Sequence, residues 1–173
     1  MVKLILIRGG PATGKTTITK EVLKELKTVH KKDCAYISED DFRKQMQFKY
    51  KAADPKVYKN AIILIKTTIK KLLEIDNYDI IFIEGLFRYE EVIEEWKDFA
   101  KQNKFRFMIF QFEIDIKEMI KRDQEMRKTK TTARNIEETL EDLKKYTPKE
   151  AIIINTAQPI EKSVKQVVKE IIK

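Results

Sequence analysis

The 173-residue chain holds one cysteine, one histidine and only four glycines, and the first two shortages each exclude a chemistry. A lone Cys34 rules out an internal disulfide, and with His30 as the sole histidine no Cys and His cluster for zinc can be assembled. His30 falls at the end of an expected helix, where a solvated position is the expectation. Long apolar runs are also missing. Charge interrupts every apolar stretch before 18 residues, so no membrane span is expected. The run Leu4 to Ile7 is too short for the apolar region of a signal peptide and leads straight into glycines. Internal repeats, low-complexity tracts and Pro/Ser-rich linkers are absent from the sequence. A reducing, cytoplasmic setting fits this composition.

What is present suits one domain spanning residues 1–173, long enough to bury a core and too short for two ordinary domains. The formal net charge is +8. Its excess lysine is scattered along expected helices rather than gathered in a tail, so charge alone points only weakly to a polyanionic partner. Oligomeric state is left open by the sequence.

Short β-rich runs alternate with longer helical periods. Strands are expected at Val2 to Ile7, Ala35 to Ile37, Ile80 to Ile83, Phe105 to Phe112 and Ala151 to Ile154. Between them, Ile18, Val22, Leu23 and Leu26 repeat with helical spacing, as do Tyr58, Ala61, Ile62, Ile65, Ile69 and Leu72. Ser38 with Asp41 reads as a capping box for a short helix to about Phe48, and Asp54-Pro55 as a cap with proline in the first turn. Asp115 with Glu118 and Asn135 with Glu138 are expected to cap two more helices. Another helix is expected near Glu90 to Gln102, and Pro159 to Ile172 closes the chain. Strands that are apolar throughout and alternate with helices imply an α/β fold, a parallel sheet covered on both faces. Phe105, Phe107, Phe110 and Phe112 then read as core rather than as a platform for stacked bases.

Three of the four glycines lie in one stretch, Gly9-Gly10-Pro11-Ala12-Thr13-Gly14-Lys15-Thr16, followed by Thr17. Between a buried strand and an amphipathic helix, this matches G-x-x-x-x-G-K-[ST], the phosphate-binding loop. Backbone N–H groups must converge on phosphate oxygens there, which needs positive φ and close main-chain approach, and glycine tolerates both. The helix start adds its positive dipole end. Lys15 is expected to reach the β- and γ-phosphates and the Thr16 hydroxyl to bind Mg²⁺. The fold class becomes a P-loop NTPase three-layer sandwich, a five-stranded parallel sheet with helices on both faces, with Gly9 to Thr17 binding ATP.

The run Tyr36-Ile-Ser-Glu-Asp-Asp-Phe-Arg43 follows the second strand, whose carboxyl end borders the same crevice. Asp40 and Arg43, three apart on a helix, can face it together, the carboxylate taking a proton from an attacking hydroxyl and the guanidinium orienting it. The same residues equally make a helix cap and a surface ion pair. The combination GGPATGKTT and YISEDDFRKQM resembles the P-loop kinases grouped with polynucleotide kinases, zeta-toxin kinases and chloramphenicol phosphotransferases. The resemblance implies that Asp40 is the base toward the acceptor hydroxyl and Arg43 its assistant. It also puts Glu84, in Ile80-Ile-Phe-Ile-Glu84-Gly85, at the Walker B position as a Mg²⁺ residue, where polynucleotide kinases usually carry Asp. A solvated strand-end carboxylate is the alternative. Phe87 and Arg88 follow as acceptor-contact candidates.

The resemblance further implies a short lid, about 123–135, whose arginines close over the transferring phosphates. Arg122 and Arg127 are five apart, about 140° around a helix, so both face ATP only if the helix ends between them; Arg127 is the first candidate and Arg122 the second. A basic helix end interacting with its own dipole is the alternative. Asn155-Thr156 is placed by the same resemblance beside the adenine. The expectation is an ATP-dependent kinase acting on a hydroxyl of a polynucleotide or nucleoside, or on a small metabolite, sugar nucleotide or antibiotic. A nucleotide switch without an acceptor is disfavoured, since Asn103-Lys-Phe-Arg106 has Arg where a guanine-reading motif needs Asp.

Overall fold

The computed structural model describes residues 1–46, 55–126 and 133–173. Arg127, Asp54 and the expected helix end near Phe48 lie outside the described residues. Five strands, β1 (Lys3–Gly9), β2 (Cys34–Ser38), β3 (Ile80–Gly85), β4 (Arg106–Glu113) and β5 (Ile152–Asn155), form one sheet in the order β2-β3-β1-β4-β5. Every pairing is parallel. The helices are α1 (Lys15–Thr28), α2 (Glu39–Met46), α3 (Pro55–Ile75), α4 (Glu90–Gln102), α5 (Ile116–Met126), α6 (Ala133–Lys145) and α7 (Ile160–Ile172).

The apolar runs of β1 and β3 follow from burial on both faces. In β1, Leu4 and Leu6 pack with Ile62, Ile65 and Ile69 of α3 and Ile93 and Trp96 of α4. The alternate residues Ile5 and Ile7 pack with Ile18, Val22 and Leu26 of α1 and Val164, Val167 and Ile171 of α7. A period of two in the strand thus feeds two cores, and the helical spacings seen in sequence supply one side of each. Each such fully buried aliphatic side chain contributes about 1.5–3 kcal/mol. Trp96 is fully buried and meets Phe99 edge-on, with ring centroids 5.7 Å apart. Phe110 and Phe112 are core, and Phe105 and Phe107 pack against it, as expected.

Several boundaries differ from expectation. β1 runs on to Gly9 because it keeps pairing with β4 there, Gly9 opposite Phe112. Ser38 Oγ does accept the Asp41 N–H at 3.3 Å, and Asp115 Oδ1 accepts the Lys117 N–H at 2.8 Å. Glu118, however, turns to Arg122, with a 3.0 Å contact, instead of completing a capping box. α6 begins at Ala133, so Asn135 lies inside its first turn, where its carbonyl accepts the Thr139 hydroxyl, and Glu138 pairs with Arg134. No described helix is long and apolar enough to cross a membrane.

The strand order puts β1 at the centre between β3 and β4. The loop leaving β1 therefore opens among the carboxyl ends of three strands, where parallel α/β sheets hold ligands.

Candidate active site

The loop from Gly9 to Thr16 is shaped by close approach and by handedness. A Cβ on Gly9 would lie 2.7 Å from the Phe112 carbonyl oxygen, so only glycine fits where β1 runs beside β4. Ala12 (φ 55°) and Gly14 (φ 84°) are both left-handed, the kind of backbone turn that gathers N–H groups into an anion-binding nest. Thr13 is buried and its hydroxyl donates to the Gly10 carbonyl at 2.9 Å, bracing the turn from inside. α1 starts at Lys15 immediately after, with its N-terminus at the loop.

Lys15 lies back across this loop, its Nζ donating to the carbonyls of Gly9 (2.9 Å) and Gly10 (2.7 Å). Gly9 and Gly10 thus act through their carbonyls, whereas residues 11–17 line the cavity itself. Thr16 Oγ1 donates to Glu84 Oε1 at 2.5 Å, and the Tyr36 hydroxyl donates to Glu84 Oε2 at 2.9 Å. Glu84 is buried at the end of β3, and β3 pairs with both β1 and β2, which brings the three residues together. Burial, reinforced by the Glu84 charge, pushes the Tyr36 hydroxyl far above its usual pKa, so it remains a donor.

The cavity has a volume of about 840 Å³ and touches both the loop and α2. Asp40 and Arg43 line it from α2, and Leu86 and Arg88 from the segment after β3. Arg122, Thr156 and Gln158 line it from the β5 side of the sheet. Asp40 and Arg43 are joined by a charged hydrogen bond, and the guanidinium lies 4.4 Å from the centre of the Tyr58 ring. Burial opposes the Arg43 charge, but Asp40, Glu39 and Tyr58 more than offset it and raise its pKa. Both readings of this pair coexist: it is an ion pair on a helix, and it faces the cavity. Arg122 donates to the Thr156 carbonyl at 3.2 Å and is held by Glu118.

Two other expectations divide. Arg88 lines the cavity and contacts Asp142 at 3.6 Å, while its neighbour Phe87 is buried in the core. Thr156 lines the cavity, whereas Asn155 caps the following turn by accepting the Ala157 N–H at 2.9 Å.

Three residues in and around the site are not among those the sequence motifs single out. Tyr36 braces Glu84. Glu39 is 2% exposed, and burial, partly offset by Arg43, pushes its carboxyl up to about 7. Arg8 is fully buried: its guanidinium donates to the carbonyls of Phe87 (2.9 Å), Leu143 (3.0 Å) and Tyr146 (2.7 Å) and to the Gln111 side chain. Burial lowers its pKa to about 10, which leaves it charged at neutral pH. A charged residue amid an apolar strand was the available signal for Arg8.

The Thr16 hydroxyl and the single Glu84 carboxylate form a sparse oxygen donor set, and the described residues hold no group of three or more His, Cys, Asp or Glu side chains placed for a metal. Such a set suits a hard cation that keeps water and phosphate oxygens as most of its ligands, as Mg²⁺ does.

Fold and site together define a P-loop kinase-like α/β protein. Residues 4–148 match the AAA domain family AAA_33, and the chain belongs to it. Among solved structures it is similar to a gluconokinase from Sinorhizobium meliloti 1021, with 9% identity, a TM-score of 0.69 and coverage of 98% of this chain and 95% of the other. A sugar kinase from Janibacter sp. HTCC2649 aligns with 15% identity, a TM-score of 0.69 and coverage of 98% and 94%. The Pnkp1/Rnl/Hen1 RNA repair complex contains a chain that aligns with 19% identity and a TM-score of 0.64, over 83% of this chain and 44% of that one. At these identities the likeness is one of fold. No curated protein matches the sequence.

Proposed function

We propose that the protein is an ATP-dependent kinase that transfers the γ-phosphoryl group to an acceptor hydroxyl on a polynucleotide, nucleoside or nucleotide. The observation that supports this most is that Asp40 lines the same cavity as the phosphate-binding loop. Bound Mg²⁺ and ATP would supply the electrophilic phosphorus and neutralise part of its charge. Lys15 and the loop hold the phosphates, and Thr16 with Glu84 holds the cation. Asp40 takes the proton of the acceptor hydroxyl while Arg43 orients the attack. Arg122 contributes positive charge from the β5 side, and Arg127 is assigned the lid's closing charge. A cytoplasmic location belongs to the same reading.

A small-metabolite acceptor is the second reading, favoured by the fold shared with a gluconokinase and a sugar kinase. A labelled-phosphate screen over 5′-hydroxyl oligonucleotides, nucleosides, sugars and sugar nucleotides separates the two. In the positive reaction, Asp40→Asn should keep ATP binding and lose transfer by about 10²-fold or more. Unchanged transfer removes Asp40 from the mechanism, and ATP turnover with no acceptor in any class removes the kinase reading.

A further inference from the structure

Three acidic residues open α2, and they do different things. Asp40 pairs with Arg43 at the cavity, and Asp41 pairs with Lys44 in solvent at 3.1 Å. Glu39 alone turns inward, beneath the end of β3. A Cβ on Gly85 would overlap Glu39 Oε2, so the glycine at that strand end is what admits the carboxyl. The Leu86 backbone N–H hydrogen-bonds the carboxyl, and Arg43 and Arg88 are its neighbouring positive charges.

The hydrogen bonding around this carboxyl is incomplete in a complementary way. Glu39 Oε2, Arg43 Nε and Arg88 Nε are all buried and, among the described residues, all lack a hydrogen-bond partner. Buried polar groups are seldom left unpaired. One acceptor and two donors are thus left over within a single charge cluster. The outer ends of both guanidiniums are already held, Arg43 by Asp40 and the Tyr58 ring, Arg88 by Asp142. Both line the cavity on the side of Asp40. Removing the carboxylate would take away a negative charge that acts on both cations.

We propose that Glu39 is a positioning residue: its buried carboxylate draws Arg43 and Arg88 together and fixes how they present themselves to the acceptor. The proposal rests on the kinase reading for its functional meaning, since the acceptor is what those arginines would meet. Glu39 touches neither acceptor nor nucleotide and acts only through the two side chains. That Glu39 titrates near neutrality, where Arg43 and Arg88 favour its charged form and Asp40 opposes it, fits a carboxylate that completes its pairing when the arginines close on it.

Arginine Nε–Hε NMR of the whole protein reads the arrangement without any acceptor. In Glu39→Gln, which keeps shape and removes charge, the Arg43 and Arg88 signals should move and exchange with solvent at least tenfold faster. Arg8, whose Nε donates to the Phe87 carbonyl, should stay in place as an internal control. Unmoved Arg43 and Arg88 signals overturn the proposal. With a 5′-hydroxyl oligonucleotide, or whichever probe of the screen accepts phosphate, Glu39→Gln should raise the acceptor KM about tenfold and leave ATP affinity within twofold. An equal loss of ATP binding would reduce Glu39 to a structural role and also overturn it. If Glu39→Gln is too unstable, Glu39→Asp, which withdraws the charge by one methylene, decides by the same two readouts. Absence of transfer by the native protein to every probe would instead refute the kinase reading, and the NMR result would still judge the arginine placement.

Discussion

Thr16 Oγ1 donates a 2.5 Å hydrogen bond to Glu84 Oε1, which ties the start of α1 to the end of β3. The other Glu84 oxygen is taken by Tyr36, so the carboxylate is gripped from two sides. Glutamate has one more rotatable bond than aspartate, and a brace from β2 removes the freedom that bond adds. Tyr36→Phe should therefore weaken the Mg²⁺ dependence of ATP binding by about tenfold, roughly 1.4 kcal/mol. Nucleotide binding without the metal should be unaffected. Calorimetric titration with and without Mg²⁺ checks this, and equal affinities would show that the brace is dispensable.

Lys15 is held by two loop carbonyls, and in the proposed kinase phosphate would have to draw it off them. Lys15→Ala should lower ATP affinity at least tenfold and also lower the melting temperature somewhat, because the carbonyls it leaves belong to the buried Gly9 and Gly10 and lose a donor. A fluorescent-nucleotide titration beside a thermal melt separates the two effects.

Gly14 and Gly85 are constrained for different reasons. Gly14→Ala forces a left-handed residue with a side chain and should cost about 1–2 kcal/mol. Gly85→Ala places a methyl against Glu39 and against Phe87, whose Cζ would be 2.8 Å away, and should cost about 1–3 kcal/mol. Shortening Glu39 to Ala in the same protein should recover part of the second loss but none of the first. Urea denaturation of the single and double variants measures both, and strict additivity of Gly85→Ala with Glu39→Ala would show that the two positions do not compete for space.

Arg8 joins β1 to the Phe87 carbonyl and to the carboxyl end of α6. Arg8→Met keeps the bulk and strands three carbonyls and the Gln111 side chain in a dry interior. It should lower stability by about 3 kcal/mol or more. Arg8→Lys, which can satisfy only some of these acceptors, should fall between. Equal stability of all three proteins by urea titration would contradict this account.

Glu39 gives stability a specific pH dependence. Its carboxyl titrates near 4.5 when unfolded and about 7 when folded, so the folded protein holds the extra proton between those values. Stability from this group is complete below the unfolded value and declines as pH rises to about 7, by on the order of 3 kcal/mol. Glu94, Asp142 and Glu150 are shifted downward by hydrogen bonds to Lys97 or Lys145, so the whole profile is composite. Subtracting the Glu39→Gln profile from the native one isolates the slope, and two parallel profiles between pH 5 and pH 8 would refute it.

The layered α/β fold and the glycine turn after β1 were legible in the sequence because both are written in local spacing. Apolar residues at every position of a strand demand cover on two faces, and G-x-x-x-x-G-K-[ST] fixes a turn through the conformations its own residues allow. Capping was less legible: Glu118 and Glu138 sit at capping-box spacing, yet each found an arginine four residues away on its helix. Nothing in Ser38-Glu39-Asp40-Asp41 distinguishes the acid that turns inward. That choice is made by Gly85, remote along the chain, which leaves room beside the Phe87 ring for the Glu39 carboxyl on the first turn of α2. Tyr36 meets Glu84, and Arg8 meets Leu143 and Tyr146, for the same reason. Periodicity and turn chemistry act between near neighbours and were determined by the sequence alone. Which buried charge meets which partner depends on the packing of strands and helices far apart in the chain, and only the tertiary structure decided it.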